Sequence, residues 1–138
     1  MSDASARARA NKRKGARWAA ELRDYFRSIG ITCEILHLAG AEDEGDIVLH
    51  FPDLDLAIII EAKNTRALSA SEFLEEARRE GLHYEAHRVH DPNAPKHVTP
   101  AFAWKRRQRN VAEGLIGMEV QELAALLLHV QQLRATTR

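Results

Sequence analysis

Residues 45–64, GDIVLHFPDLDLAIIIEAKN, constrain this chain more than any other stretch. Two apolar, largely β-branched runs, 47–51 and 56–60, flank the polar segment PDLD. Runs of this kind, bounded by Pro and Asp, read as two strands joined by a tight turn. If Phe51 pairs with Leu56 across the turn, antiparallel counting sets Asp46 opposite Glu61. Cross-strand partners share a sheet face with Cβ atoms about 5 Å apart. Side chains alternate along a strand, so Lys63 joins that face two residues past Glu61. The stretch therefore carries two carboxylates and an ammonium to the open end of one hairpin.

Such a trio has a chemical use. Asp46 and Glu61, with the Ala62 carbonyl and water, make an all-oxygen set suited to Mg²⁺. An ion held there can polarise a phosphodiester and lower the pKa of water, while Lys63 orients the attacking water or offsets charge on the phosphorane. An E-x-K tripeptide alone reads more simply as a strand end meeting solvent. An Asp in register opposite it, preceded by Gly, turns the balance toward phosphodiester chemistry.

KRKG at 12–15, AGAEDEGDI at 39–47 and IIIEAKN at 58–64 together resemble the PD-(D/E)XK nuclease superfamily. Within it, the nearest look is to archaeal-type Holliday junction resolvases and their small phage relatives. The likeness covers the first half of the chain closely and the second half in layout. It implies a restriction-endonuclease-like α/β core, a mixed central β-sheet flanked by helices. It also implies Asp46 and Glu61 as metal ligands and Lys63 as the catalytic lysine, with Mg²⁺ as cofactor and Mn²⁺ as a substitute. The substrate would be branched DNA. Two symmetric cuts across a junction need two sites, so a homodimer is expected. One position departs from the pattern: the family's first helix carries a glutamate four residues after the KG glycine, and Ala19 stands there. Glu21 is close, but two residues turn a helix by about 200°. The rival expectation is a nucleic-acid-binding protein that keeps the nuclease fold without its catalysis.

Charge distribution fits a polyanion partner. The formal net charge is zero, yet residues 1–17 hold six bases against Asp3 and residues 42–85 hold twelve acids against four bases. Lys12, Arg13, Lys14 and Arg17, with the later cluster Lys105, Arg106 and Arg107, are the candidate phosphate contacts bordering an acidic pocket. Residues 1–11 are expected as a basic, flexible arm and 12–138 as a single domain, a length that suits one modest core. No apolar run is long enough to span a membrane, and the basic N-terminus lacks the apolar core of a secretory signal. A lone cysteine, Cys33, suits a reducing, cytoplasmic setting, the host cytoplasm if the chain is phage-encoded.

Along the rest of the chain, helical spacing runs from about 14 to 28 and ends at Gly30, placed as a C′ glycine. Residues 31–38 read as a strand, followed by an acidic loop in which Asp43 could support the metal site. A helix capped by Ser69 or Ser71 runs to about His87, with Phe73, Leu74, Ala77 and Leu82 marking its apolar face. His83 and His87 have zinc-compatible spacing, but without HExxH or a cysteine ligand they read as surface or dimer-contact residues. DPNAPK at 91–96 is a turn, residues 98–104 a strand, 111–120 a further strand, and 120–133 an amphipathic closing helix. Trp104, beside the basic run, reads as a packing residue or a base-stacking one.

Overall fold

The computed structural model describes residues 3–36 and 44–136. Three α-helices and five strands alternate along it: α1 (Asp3–Ser28), β1 (Thr32–Ile35), β2 (Ile47–Phe51), β3 (Leu56–Lys63), α2 (Ala70–His87), β4 (His97–Trp104), β5 (Leu115–Gly117) and α3 (Val120–Thr136). The strands form one sheet in the order β1-β2-β3-β4-β5. The β3–β4 pair is parallel and the other three are antiparallel. The α2 crossover supplies the length a parallel connection requires. The chain is thus an α/β fold on a mixed sheet, and among the described residues no helix is long and apolar enough to cross a membrane.

The β2–β3 hairpin has the expected register, Phe51 on Leu56 through Ile47 on Ile60. Its turn is a short 3-10 segment, Pro52–Leu54, closed by Asp55 in the left-handed region. Alternation then sorts the hairpin between two cores. Ile47, Leu49, Ile60 and Ala62 pack with Trp18, Ala19 and Leu22 of α1. Val48, Ala57 and Ile59 pack with Tyr84 of α2. The helices α1 and α2 therefore cover opposite faces, and both strands are apolar on both sides because both sides are buried.

Several boundaries differ from the sequence reading. Helix α1 begins at Asp3 rather than near Lys14, so the basic residues assigned to a flexible arm lie on helix. Its end is as expected: Gly30, with φ of 92°, lets Ile31 N–H reach the Phe26 carbonyl at 2.9 Å in a Schellman-type closure. On α2 the buried stripe is Phe73, Ala77, Glu80, Gly81 and Tyr84, while Leu82 is 60% exposed. Leu82 follows Phe73 by nine residues, about half a turn out of phase. Residues 111–120 are not one strand. Val111–Glu113 forms a 3-10 turn, with Val111 packed against the α1 core, and only Leu115–Gly117 joins the sheet. The acidic loop residue Asp43 lies outside the described residues.

Candidate metal and nucleic-acid site

Asp46 sits where β1, β2 and β3 converge. Its N–H donates to the Ile60 carbonyl at 3.2 Å and its carbonyl accepts from Leu36 N–H at 2.9 Å. Beyond Ile47 the β2 ladder stops, so the Ala62 N–H needs another acceptor; Asp46 Oδ2 takes it at 2.7 Å. That bond sets the direction of the carboxylate. The preceding Gly45 has φ of 104°, and a Cβ there would meet the Ile59 side chain at 2.8 Å, so only glycine allows the chain to enter this corner. Glu44, one residue earlier, is 1% exposed and is clamped by Arg88 and by His87 Nδ1, the latter at 2.6 Å. Burial alone would raise the Glu44 carboxyl, but its bonds to Arg88 and His87 hold it below the usual range. Arg88 in turn stacks over Tyr84 at 3.6 Å. The chain is thus pinned immediately before Asp46.

Glu61 and Lys63 extend from β3 toward α2, where two further acids meet them. Lys63 Nζ pairs with Glu76 Oε2 and lies 3.5 Å from Glu61 Oε1. Glu61, Glu76 and Glu80 each offer an oxygen within 4.8 Å of the others. Glu61 is 8% exposed, and its Oε2 is buried without a conventional hydrogen-bond donor. Burial first, then a shared hydrogen bond with Glu80 and that residue's charge, push the Glu61 carboxyl up to about 9. Two carboxyls can share such a contact only with a proton or a cation between them. Burial would lower the Lys63 ammonium, but Glu76 and Glu61 outweigh it and hold it above its ordinary value. Lys63 therefore stays charged at neutral pH, a state suited to charge and orientation and not to accepting a proton.

A cleft of about 1140 Å³ opens over this corner. Asp46, Glu61, Ala62 and Lys63 line it, as do Ala19 from α1 and the cations Lys12, Lys14, Arg66 and Arg107. The cleft thus brings together the three residues expected to be catalytic and three of the expected phosphate contacts. Arg13, Arg17, Lys105 and Arg106 are not among its lining residues. Lys105 is tied instead to both oxygens of Glu21, at 3.0 and 3.2 Å. Ala19 and Glu21 accordingly part company as helix geometry requires, one on the cleft and the other on the basic run. Trp104 donates its indole N–H to Thr65 at 3.1 Å, tying the end of β4 to the segment after β3. His83 and His87 stack at 6.4 Å, and His87 serves the Glu44 clamp.

The all-oxygen donor set, with a buried Glu61 oxygen lacking a donor, fits a hard divalent cation such as Mg²⁺. Of the expected ligand set, Asp46, Glu61 and the Ala62 carbonyl, the group of acids within 4.8 Å of one another contains Glu61 with Glu76 and Glu80 on the α2 side, and Asp46 is not part of it. Sequence reasoning missed those two glutamates and Arg66. The available signal was their spacing, since Glu76 and Glu80 stand at i and i+4, interleaved with the buried Phe73, Ala77 and Tyr84. Comparison with known proteins adds no relative: no family model, curated protein or solved structure matches this chain.

Proposed function

We propose that this chain is a Mg²⁺-dependent DNA endonuclease with a restriction-endonuclease-like core, cutting branched DNA as a homodimer in the manner of a Holliday junction resolvase. One observation carries the reading: Asp46, Glu61 and Lys63 line a single cleft that also bears Lys12, Lys14, Arg66 and Arg107. Acids at the floor with cations around them suit a phosphate backbone that is gripped from the sides and cut at the centre. Asp46, Glu61 and the Ala62 carbonyl would hold the metal, with Mn²⁺ able to replace Mg²⁺. When bound, the ion supplies charge to the phosphodiester and acidity to water. Lys63, kept as an ammonium by Glu76 and Glu61, orients the nucleophile and offsets charge developing on phosphate oxygens. Lys12, Lys14 and Arg107 position the strand through its phosphates. The setting for this activity is the cytoplasm, that of a host if the chain is phage-encoded.

A second reading, a DNA-binding protein without cleavage, is favoured by Ala19, which puts a methyl on the cleft wall where the resembled family has a carboxylate. One experiment separates the two. Labelled four-way junction, duplex and single-stranded DNA are incubated with the protein in Mg²⁺, Mn²⁺ or EDTA. The nuclease reading expects metal-dependent cuts in the junction, abolished in Asp46→Asn while binding persists. Junction binding without cuts under any metal would establish the second reading.

A further inference from the structure

The closing helix α3 has no buried residue although it carries seven Leu and Val side chains in VQELAALLLHVQQLRAT. A helix this apolar is ordinarily covered. One flank faces the fold: His129 Nε2 meets the Leu54 carbonyl at 2.7 Å, and Glu122 lies within the electrostatic reach of Glu85 and Arg78. Another flank faces solvent. Val120, Leu123, Leu127 and Leu128 are 87%, 44%, 54% and 57% exposed, and the first three, with the half-buried Val130 and with Arg134, follow an alternating three-four spacing. That spacing is the narrow seam of a helix–helix contact rather than the broad stripe of a helix packed on a sheet. Just ahead in the chain, Leu115 and Ile116 on the edge strand β5 are exposed as well and enlarge the apolar surface.

The charges at the two ends of the seam identify its occupant. Glu119 stands just ahead of α3, and Arg134 stands in its last turn. We infer that α3 packs antiparallel on α3 of a second copy of this chain, about a two-fold axis passing near Leu127. In that arrangement a residue n places after 127 lies opposite the residue n places before it. Arg134 of one copy then falls against Val120 and beside Glu119 of the other, twice over. A parallel pairing would oppose like charges at both ends. A two-fold contact is self-complementary and closed, so it makes a dimer and not a fibre. The inference supplies a contact surface for the two-site reading of the function, but it stands on this helix face and not on the cleavage chemistry.

The test is sedimentation equilibrium of the full chain without DNA or metal. A dimer is expected at micromolar protein. Leu123→Glu with Leu127→Glu should weaken it by roughly 100-fold or more, while circular dichroism of the variant keeps the parent's helix content and its thermal midpoint loses the dependence on protein concentration that dimerisation gives the parent. Arg134→Glu should weaken it by about 10-fold, and adding Glu119→Arg should restore it. Under mild oxidant, Leu127→Cys should cross-link two copies, whereas Leu128→Cys, about 100° around the helix, should not. The inference fails if the protein is monomeric up to about 100 µM. It fails equally if a dimer ignores the Leu123 and Leu127 changes, or if Glu119→Arg does not rescue Arg134→Glu. Cleavage plays no part in the readout, so an inactive protein that dimerises this way keeps the inference, and a monomeric nuclease refutes it alone.

Discussion

Replacing Glu61 with Gln should stabilise the metal-free protein at neutral pH. Glu61 is 8% exposed, and its burial, with the adjoining Glu80, raises its carboxyl from the ordinary 4.5 to about 9. A raised folded pKa means that the folded state keeps a proton which the unfolded state gives up. The linked stability is therefore complete below about pH 4.5, erodes as pH rises, and is gone above about pH 9. At pH 7 the erosion has run for about 2.5 pH units, or about 3 kcal/mol at about 1.36 kcal/mol each. Gln has nearly the same shape, stays neutral and can donate an N–H toward Glu80, so it escapes that loss. For a chain of 138 residues, about 3 kcal/mol corresponds to roughly 10 °C in the thermal midpoint. Urea unfolding of parent and variant in EDTA, at about pH 5, 7 and 9, measures the gap directly. The gap should widen with pH, and Mg²⁺ should stabilise the parent but not Glu61→Gln. A gap independent of pH, or a variant less stable than the parent at pH 7, would refute the reasoning that charge burial at residue 61 is what the fold tolerates for its site.

Three further outcomes follow from the same geometry. Lys12→Ala with Lys14→Ala should weaken DNA binding and reduce the slope of log affinity against log salt by about two, whereas Arg13→Ala, off the cleft, should leave the slope nearly unchanged. In single-turnover cleavage of a four-way junction, Ala19→Glu should raise the rate by about 10- to 1,000-fold, or about 1.4–4 kcal/mol in the barrier, while Glu21→Ala should change it little. Glu21 as the working carboxylate would invert that result. Arg88→Ala should cost about 1–3 kcal/mol in denaturant unfolding, because it leaves the buried Glu44 carboxylate to its bond with His87, and Glu44→Gln in the same chain should recover part of that; a loss below about 0.5 kcal/mol would show that the clamp contributes little.

What the sequence determined by itself was the local geometry of the hairpin. The four-residue PDLD connection sets the register, Phe51 on Leu56, because loop length and turn type fix hairpin pairing, whereas the apolar runs, buried on both faces, would by themselves admit a slip. That register sets Asp46 across from Glu61 in pairing order, with Lys63 two residues on, while the carboxylates that gather within 4.8 Å are Glu61, Glu76 and Glu80. Helix phase likewise separated Ala19 from Glu21, because a fixed angle per residue operates whatever the helix packs against. Gly30 was legible for the same reason, as a local closure. Tertiary structure alone decided which α2 residues turn toward β3. Glu76 and Glu80 look like surface acids in sequence, and Leu82 looks like core, because the stripe that is buried depends on where α2 lies across the sheet. The clamp of Glu44 by His87 and Arg88 joins residues more than forty positions apart, and no local pattern encodes that distance. Lys105 belongs to Glu21 and not to the cleft for the same reason: a cation's partner is set by the element that packs beside it, and only the folded sheet brings β4 to α1.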